Sequence, residues 1–147
     1  MKKVIHRDFY YQIPEKSGFT LIETQGLHRY IFVDEIEFTQ PDLHSFLLKI
    51  LTALKLEVGN NLEIISCQQN RFYPIHPIIS QQNIDLVCFG VRPSQLQLQG
   101  FEAVHHVYHF LESTILFANS LKSYSNEASK KILWTNLKIM FNIQAIV

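Results

Sequence analysis

Short apolar segments alternate in this chain with amphipathic helical patterns, and this alternation is the strongest constraint on the fold. Apolar runs bounded by turn residues are typical of strands, and apolar residues three and four positions apart are typical of helices. The strand candidates are the segments 30–33, 62–65, 84–89, 104–111 and 115–118. This order of strands and helices predicts an α/β fold of three layers, with a mainly parallel central sheet flanked by helices.

Two helices can be recognised by their ends. The first begins at Thr39-Gln40-Pro41-Asp42, since Pro is tolerated in a first turn and Asp is favourable at the positive end, and it closes at Gly59-Asn60. The second begins at Ser125, with Glu127 in its first turn. Its apolar side is expected to consist of Ile132, Leu133, Leu137, Met140 and Phe141. The segment 68–83 has no period and is expected to be a long loop.

Length and charge limit the possible functions. The 147 residues are enough for one ordinary domain. Lys and Arg number 13 and Asp and Glu number 13, so the net charge is zero, which argues against strong direct binding of nucleic acid. Hydrophobic residues make up 47% and charged residues only 18%, a composition that favours a surface hidden on a protein partner. The acidic group Asp34, Glu35 and Glu37 is expected to lie on a solvated face.

The termini and the cysteines predict a cytoplasmic protein. The first residues contain no apolar segment of the kind found in signal peptides, and no run approaches the length of a membrane span. Cys67 and Cys88 are isolated within apolar stretches, so we expect buried thiols and not a disulfide.

No motif for catalysis or for a cofactor is present. The sequence has neither a glycine-rich nucleotide loop nor the Gly-x-Ser-x-Gly turn of serine hydrolases. His105, His106 and His109 could chelate a metal on a helix, but on a strand His105 and His109 would lie about 13 Å apart. Their apolar neighbours favour a strand, so we expect no metal and no cofactor. Phe72 and Tyr73 in the long loop are either interface anchors or core residues.

The end of the chain resembles a known signature. Phe117 and Ala118 end a strand, Asn119, Ser120 and Leu121 follow, and the helix that begins at Ser125 carries Lys130, Leu133 and Trp134. This resembles the closing signature of the psi subunit of bacterial DNA polymerase III: a small-residue turn, a leucine, then a helix with a basic residue and Leu-Trp. Glu127 replaces the usual Pro, and Phe117-Ala118 replaces the usual Ser-Pro.

A second resemblance to psi lies near the start. Gly26 and Leu27 precede Tyr30 and Phe32, where psi has a Gly, an aliphatic residue, an aromatic and a hydrophobic. Tyr30 stands where psi usually has Trp, and Val33-Asp34-Glu35 replaces the usual Arg-Pro. The resemblance implies an N-terminal arm over residues 1–30 that binds a partner, followed by a single α/β domain over 31–147.

The C-terminal pattern is also similar to that of uracil-DNA glycosylases, whose fold psi shares. A glycosylase has a His-Pro on the turn before the helix, and Asn119-Ser120 stand at those positions here. The Gly- and Pro-rich acidic loop expected after the first strand is also not found. The resemblance therefore implies a uracil-DNA-glycosylase-like fold without catalytic residues.

The function implied by the resemblance is that of a non-catalytic adaptor in a clamp-loader assembly. Psi binds the clamp-loader ATPase subunit through its N-terminal segment and the chi subunit through its body. Leu27, Tyr30 and Phe32 would be the arm contacts, with Phe72 and Tyr73 as further partner-binding candidates. Two alternatives remain open: a glycosylase-like DNA-repair or DNA-binding protein, and an α/β interaction domain unrelated to replication.

Overall fold

The structure is a computed structural model that describes residues 2–6, 9–13, 26–81 and 83–141. The strands are β1 (Lys2–His6), β2 (Phe9–Ile13), β3 (Arg29–Asp34), β4 (Glu63–Cys67), β5 (Asp85–Phe89), β6 (Leu98–Gln99), β7 (Val107–Phe110) and β8 (Ser113–Ala118). The helices are α1 (Glu35–Phe38), α2 (Pro41–Ala53), α3 (His76–Ile79) and α4 (Glu127–Met140). Short 3₁₀ helices cover Pro93–Leu96 and Leu121–Ser123.

The main sheet has five strands in the order β4-β3-β5-β8-β7. The pairs β3–β4, β3–β5 and β5–β8 are parallel, and β7 is added antiparallel to β8 at one edge. The prediction of an α/β fold with a mainly parallel sheet and flanking helices is therefore confirmed.

Apolar side chains fill a core on each side of this sheet. Ile31 and Val33 of β3 point to one side, where they pack with buried residues of α2 and α4. Tyr30 and Phe32 point to the other side and pack with residues that include those of α3. The alternation of neighbouring β3 residues between two cores is the pattern expected of a strand that is buried on both faces.

The beginning of the chain contributes to a second, smaller sheet. β1 pairs antiparallel with β2, and β2 pairs with β6. Segments 2–6 and 9–13 of the predicted arm are therefore strands that pair with each other and with residues 98–99. Residues 1, 7–8 and 14–25 of that arm lie outside the described residues.

Both predicted long helices are present, but their ends differ from the prediction. α2 starts at Pro41 as expected but stops at Ala53, well before Gly59. Lys55 has a φ of 59°, in the left-handed region, and this ends the helical path earlier. α4 starts at Glu127, where the Asn126 side chain accepts a hydrogen bond from the Ser129 N–H at 2.8 Å.

Two other segments differ from the sequence-based expectation. In the predicted strand 104–111 only Val107–Phe110 is extended, because His105 has a φ of 59° and lies in a turn. The predicted loop 68–83 contains the helical turn α3, which has Pro77 in its first turn.

The described residues include no helix with the length and apolar character required to cross a lipid bilayer. Cys67 and Cys88 are both buried and free, as the sequence predicted.

Candidate functional site

A cleft opens at the carboxyl ends of β3 and β5. The chain leaves β3 toward β4 on one side and leaves β5 toward β8 on the other, so the sheet order reverses between these two strands. Open α/β sheets bind ligands at such a point. Three adjoining cavities of about 500, 350 and 230 Å³ meet there, and Gln69 lines all of them. We call this region the switch-point cleft.

Asp34 is the last residue of β3 and lines two of the three cavities. Its side chain is only 5% exposed. Oδ1 is buried and has no hydrogen-bond partner among the described residues, while Oδ2 lies 3.5 Å from Nε2 of Gln69. An unsatisfied buried acceptor costs about 1–3 kcal/mol, more when it is charged. The solvated position expected from the sequence is thus wrong for Asp34, since β3 is covered on both faces.

Glu37 lies in α1 and is also buried, again unlike the expectation for the acidic group. Its carboxylate accepts hydrogen bonds from the N–H of Leu121 at 2.7 Å and from the N–H of Lys122 at 3.1 Å. These two N–H groups open the 3₁₀ helix Leu121–Ser123 after β8. Glu37 therefore ties the segment after β3 to the segment after β8, and both segments line the cleft.

Gln95 fixes the loop on the opposite wall. Its side chain is buried, and Nε2 lies 3.0 Å from the carbonyl oxygen of Gln68 and 3.3 Å from those of Gln69 and Arg71. Its Oε1 accepts a hydrogen bond from the N–H of Arg92. One amide therefore orders the loop that carries Gln69. Nothing in the sequence distinguishes Gln95 from the chain's other glutamines, and sequence reasoning missed it.

Gly90, directly after β5, allows two segments to approach closely beside the cleft. Its φ is 71°, and a Cβ placed on it would lie 3.3 Å from Cα of Ser120 and 3.6 Å from Cβ of Asp34. The position requires the conformational freedom and the small size of glycine.

The two thiols in the main sheet, Cys67 of β4 and Cys88 of β5, are unsuited to nucleophilic chemistry. Burial, with a further contribution from Asp34, raises the pKa of Cys67 to about 12. Burial, with a further contribution from Cys67, raises the pKa of Cys88 well above its ordinary value. Because the thiolate is the reactive species, both cysteines are inert packing residues at neutral pH.

Tyr30 and Phe32 occupy a position different from the expected one. Both lie in β3, between β4 and β5, and neither side chain has any exposed surface. The hydroxyl of Tyr30 accepts a hydrogen bond from Nε2 of Gln81 at 3.0 Å. This corrects their assignment as arm contacts, because a partner could reach them only if the sheet opened.

The other predicted partner-binding residues differ in exposure. Phe72 is 46% exposed, whereas Tyr73 is buried, and its hydroxyl accepts a hydrogen bond from the N–H of Gln68 at 2.8 Å. Tyr73 is therefore corrected to a core residue. Leu27 is half-buried just before β3. Among the predicted partner-binding residues, Leu27 and Phe72 thus present side-chain surface.

Asn119, at the position of the glycosylase histidine, is exposed at the end of β8. Its N–H donates to the hydroxyl of Tyr124 at 2.9 Å, and its neighbour Ser120 lines the cleft. Nε2 of His105 lies 2.7 Å from the same hydroxyl. His106 packs edge-on against Tyr108, and His109 is exposed. The described parts of the chain contain no group of three or more His, Cys, Asp or Glu placed to hold a metal ion.

The outer helices form a small apolar groove. It has a volume of about 130 Å³, and its lining residues are Phe46, Ile50, Lys130, Leu133, Trp134 and Leu137. Leu133 is buried and Trp134 is half-buried against the same core, so this part of α4 packs on the body. Ile132, which the sequence placed on the apolar side, is instead 49% exposed. Residues 142–147, which follow α4, lie outside the described residues.

Comparison of the chain with protein-family models, with curated protein sequences and with solved structures finds no match in any of the three.

Proposed function

We propose that the chain is a non-catalytic adaptor subunit of a DNA polymerase III clamp-loader assembly, with a psi-like body of the uracil-DNA-glycosylase-like fold. The observation that supports this most is the arrangement of the C-terminal signature. β8 ends in the small-residue turn Asn119-Ser120, and Leu121 is buried beneath it. α4 then presents Leu133 to the core. These features follow one another as they do in the psi signature.

The partner on this proposal is the clamp-loader ATPase subunit, with a chi-like subunit as a second partner. Leu27 and Phe72 are the contact residues retained from the sequence, because both side chains present surface. Exposed apolar side chains are favoured anchors in protein interfaces.

The test is a pull-down of the full chain with the clamp-loader ATPase subunit of the same organism. We expect retention of the ATPase subunit by the unaltered chain and at least a tenfold loss of affinity in Phe72→Ala. The matched control is Val58→Ala, because Val58 is a similarly exposed apolar residue at 55% exposure in a different loop. Failure of the unaltered chain to bind would exclude the proposed function.

A glycosylase-like DNA-repair activity is the second candidate, and one observation favours it. Asp34 places an acid at the end of the first strand of the main sheet, in a cleft that Ser120 also lines. The assay is release of uracil from single- and double-stranded DNA. We expect no release, because Asn119 lacks the imidazole and points its backbone N–H to Tyr124. Release that Asp34→Asn abolishes would establish the enzyme and overturn the adaptor proposal. If the chain neither binds the ATPase subunit nor releases uracil, the α/β interaction domain unrelated to replication is the function that remains.

A further inference from the structure

We infer that the Asp34 side of the switch-point cleft binds a cationic side chain, the guanidinium of an Arg or the ammonium of a Lys, supplied by the protein partner. This rests on the proposed adaptor function and specifies the chemistry of one contact. The first observation is the incomplete bonding of Asp34. Its Oδ1 has lost contact with water, and no donor from the described residues replaces that water. Nearly all buried polar groups in proteins have a partner, so this acceptor indicates a missing donor.

The second observation is the composition of the 350 Å³ chamber beside Asp34. Its lining residues are Asp34, Glu35, Ile36, Gln68, Gln69 and Asn70. Two are acidic, and none of these described residues is a Lys, Arg or His. Basic side chains line the adjoining cavities: Arg92 the 500 Å³ cavity, and Lys122 the 230 Å³ cavity that Asp34 also lines. Arg92 is engaged there, since its Nη2 donates to the carbonyl oxygen of Gln69.

The third observation is the apolar side chain at the mouth of the chamber. Ile36 is 62% exposed directly beside the two acids. Lys and Arg have an aliphatic stem that covers apolar surface and a charged head that donates several hydrogen bonds. In the chamber, Ile36 would contact the aliphatic stem, and the carboxylates of Asp34 and Glu35 would face the charged head. A neutral donor would satisfy the hydrogen-bonding capacity of Asp34 but leave its charge without a counterion.

One exposed side chain lies against the carboxylate of Asp34. Gln69 is exposed, and its contact with Oδ2 of Asp34 is long at 3.5 Å. An outward turn of the Gln69 side chain would free Oδ2 of Asp34, while Gln95 continues to hold the Gln69 backbone in place.

The first experiment uses n-butylguanidinium as a mimic of an Arg side chain. It is titrated into the ¹⁵N-labelled full chain, and the amide resonances of Gln69 and Gly90 are followed. We expect saturable shifts for the unaltered chain and at least a tenfold weaker affinity for Asp34→Asn. The control Asp42→Asn removes an exposed carboxylate from α2 and is expected to leave the affinity unchanged. n-Butyltrimethylammonium, a cation without N–H donors, is expected to bind at least tenfold more weakly.

Non-saturable shifts, or equal affinities for the unaltered chain and Asp34→Asn, would overturn the inference. Asp34→Asn is expected to fold, because it removes a buried unpaired charge while keeping the shape of the side chain; a thermal melt checks this. Glu35→Gln, at a half-buried position of the same chamber, provides a second variant. Its affinity for n-butylguanidinium is expected to be about threefold weaker, because the charge it removes is partly exposed.

The second experiment assigns the cation to the partner. Asp34→Asn is compared with Asp42→Asn in the pull-down with the clamp-loader ATPase subunit, and only Asp34→Asn is expected to lose at least tenfold in affinity. Equal binding by both variants would overturn the assignment to that partner, even if the probe binds. If the unaltered chain retains no ATPase subunit, the adaptor proposal fails, while the titration still decides whether the cleft binds a cation.

Discussion

Two buried carboxylates only three residues apart have different roles because their bonding differs. Glu37 accepts hydrogen bonds from two backbone N–H groups, and Asp34 has an oxygen without a partner among the described residues. A buried charge is tolerated when its hydrogen-bonding capacity is met, and it is costly when it is not. Glu37 therefore stabilises the fold, whereas Asp34 is available to a ligand.

Replacement of Glu37 by Gln is expected to destabilise the chain. The amide NH₂ of Gln cannot accept, so either Leu121 or Lys122 loses its partner. We expect the free energy of unfolding to fall by about 1–3 kcal/mol in urea titrations. Glu35→Gln, at a half-buried neighbouring position, is the control and is expected to change it by less than about 0.5 kcal/mol. Equal effects of the two variants would refute the role given to Glu37.

The raised pKa of Cys67 predicts a loss of stability at alkaline pH. The folded pKa is about 12, above the ordinary value of 9.0, so the unfolded chain releases this proton first. The contribution of Cys67 to the free energy of unfolding is therefore fully present below pH 9. It is lost as the pH rises from 9 to 12, by at most about 1.4 kcal/mol per pH unit for one such group.

Urea titrations between pH 8 and 10.5 measure this loss. Cys67→Ala is expected to make the free energy of unfolding fall less steeply with pH. Some dependence on pH remains, because Cys88 and Tyr124 also have raised pKa values. A slope identical to that of the unaltered chain would show that Cys67 ionises normally in the fold.

At the scale of elements, the cleft depends on connections that carry little sequence signal. Gln95 lies in a 3₁₀ helix after β5, yet it orders the loop after β4. The two elements are joined because the side-chain amide of Gln95 lies within hydrogen-bond distance of three carbonyl oxygens of that loop.

Gln95→Glu tests this connection with almost no change in shape. A carboxylate would face the three carbonyl oxygens and repel them, so we expect the free energy of unfolding to fall by at least about 2 kcal/mol. We also expect the amide resonances of Gln69 and Asn70 to shift in the NMR spectrum. Gln99→Glu, at an exposed site in β6, serves as the control. If the variant keeps the stability of that control, Gln95 does not hold the loop.

For the whole molecule, the sequence predicted the layers better than the cleft. Periodicity and start signals were sufficient to predict α2, α4 and the parallel strands, since these depend on local patterns of burial, but the end of α2 at Ala53 was missed. The burial of Asp34 and of Tyr30 could not be predicted, because it depends on which strands lie beside β3. That order comes from pairing between distant segments such as β3 and β5.

The central position of β3 predicts that Tyr30→Ala weakens the whole fold. Tyr30 is buried between two neighbouring strands, so its truncation should lower the free energy of unfolding by about 3–5 kcal/mol. Phe72→Ala should lower it by less than about 1 kcal/mol, because Phe72 is half exposed. Thermal and urea unfolding measure both. A mild effect of Tyr30→Ala would contradict the central placement of β3.

The strand order also has a consequence for how the chain is made. β3 is the first strand of the main sheet to be synthesised, but its partner β5 and the strand beyond it, β8, follow much later. Parallel pairing between such distant segments closes long loops and is slow to form. During translation the apolar residues of β3 therefore remain uncovered until most of the chain has left the ribosome. The nascent protein should depend on chaperones during this interval, whereas the β1–β2 pair can form at once.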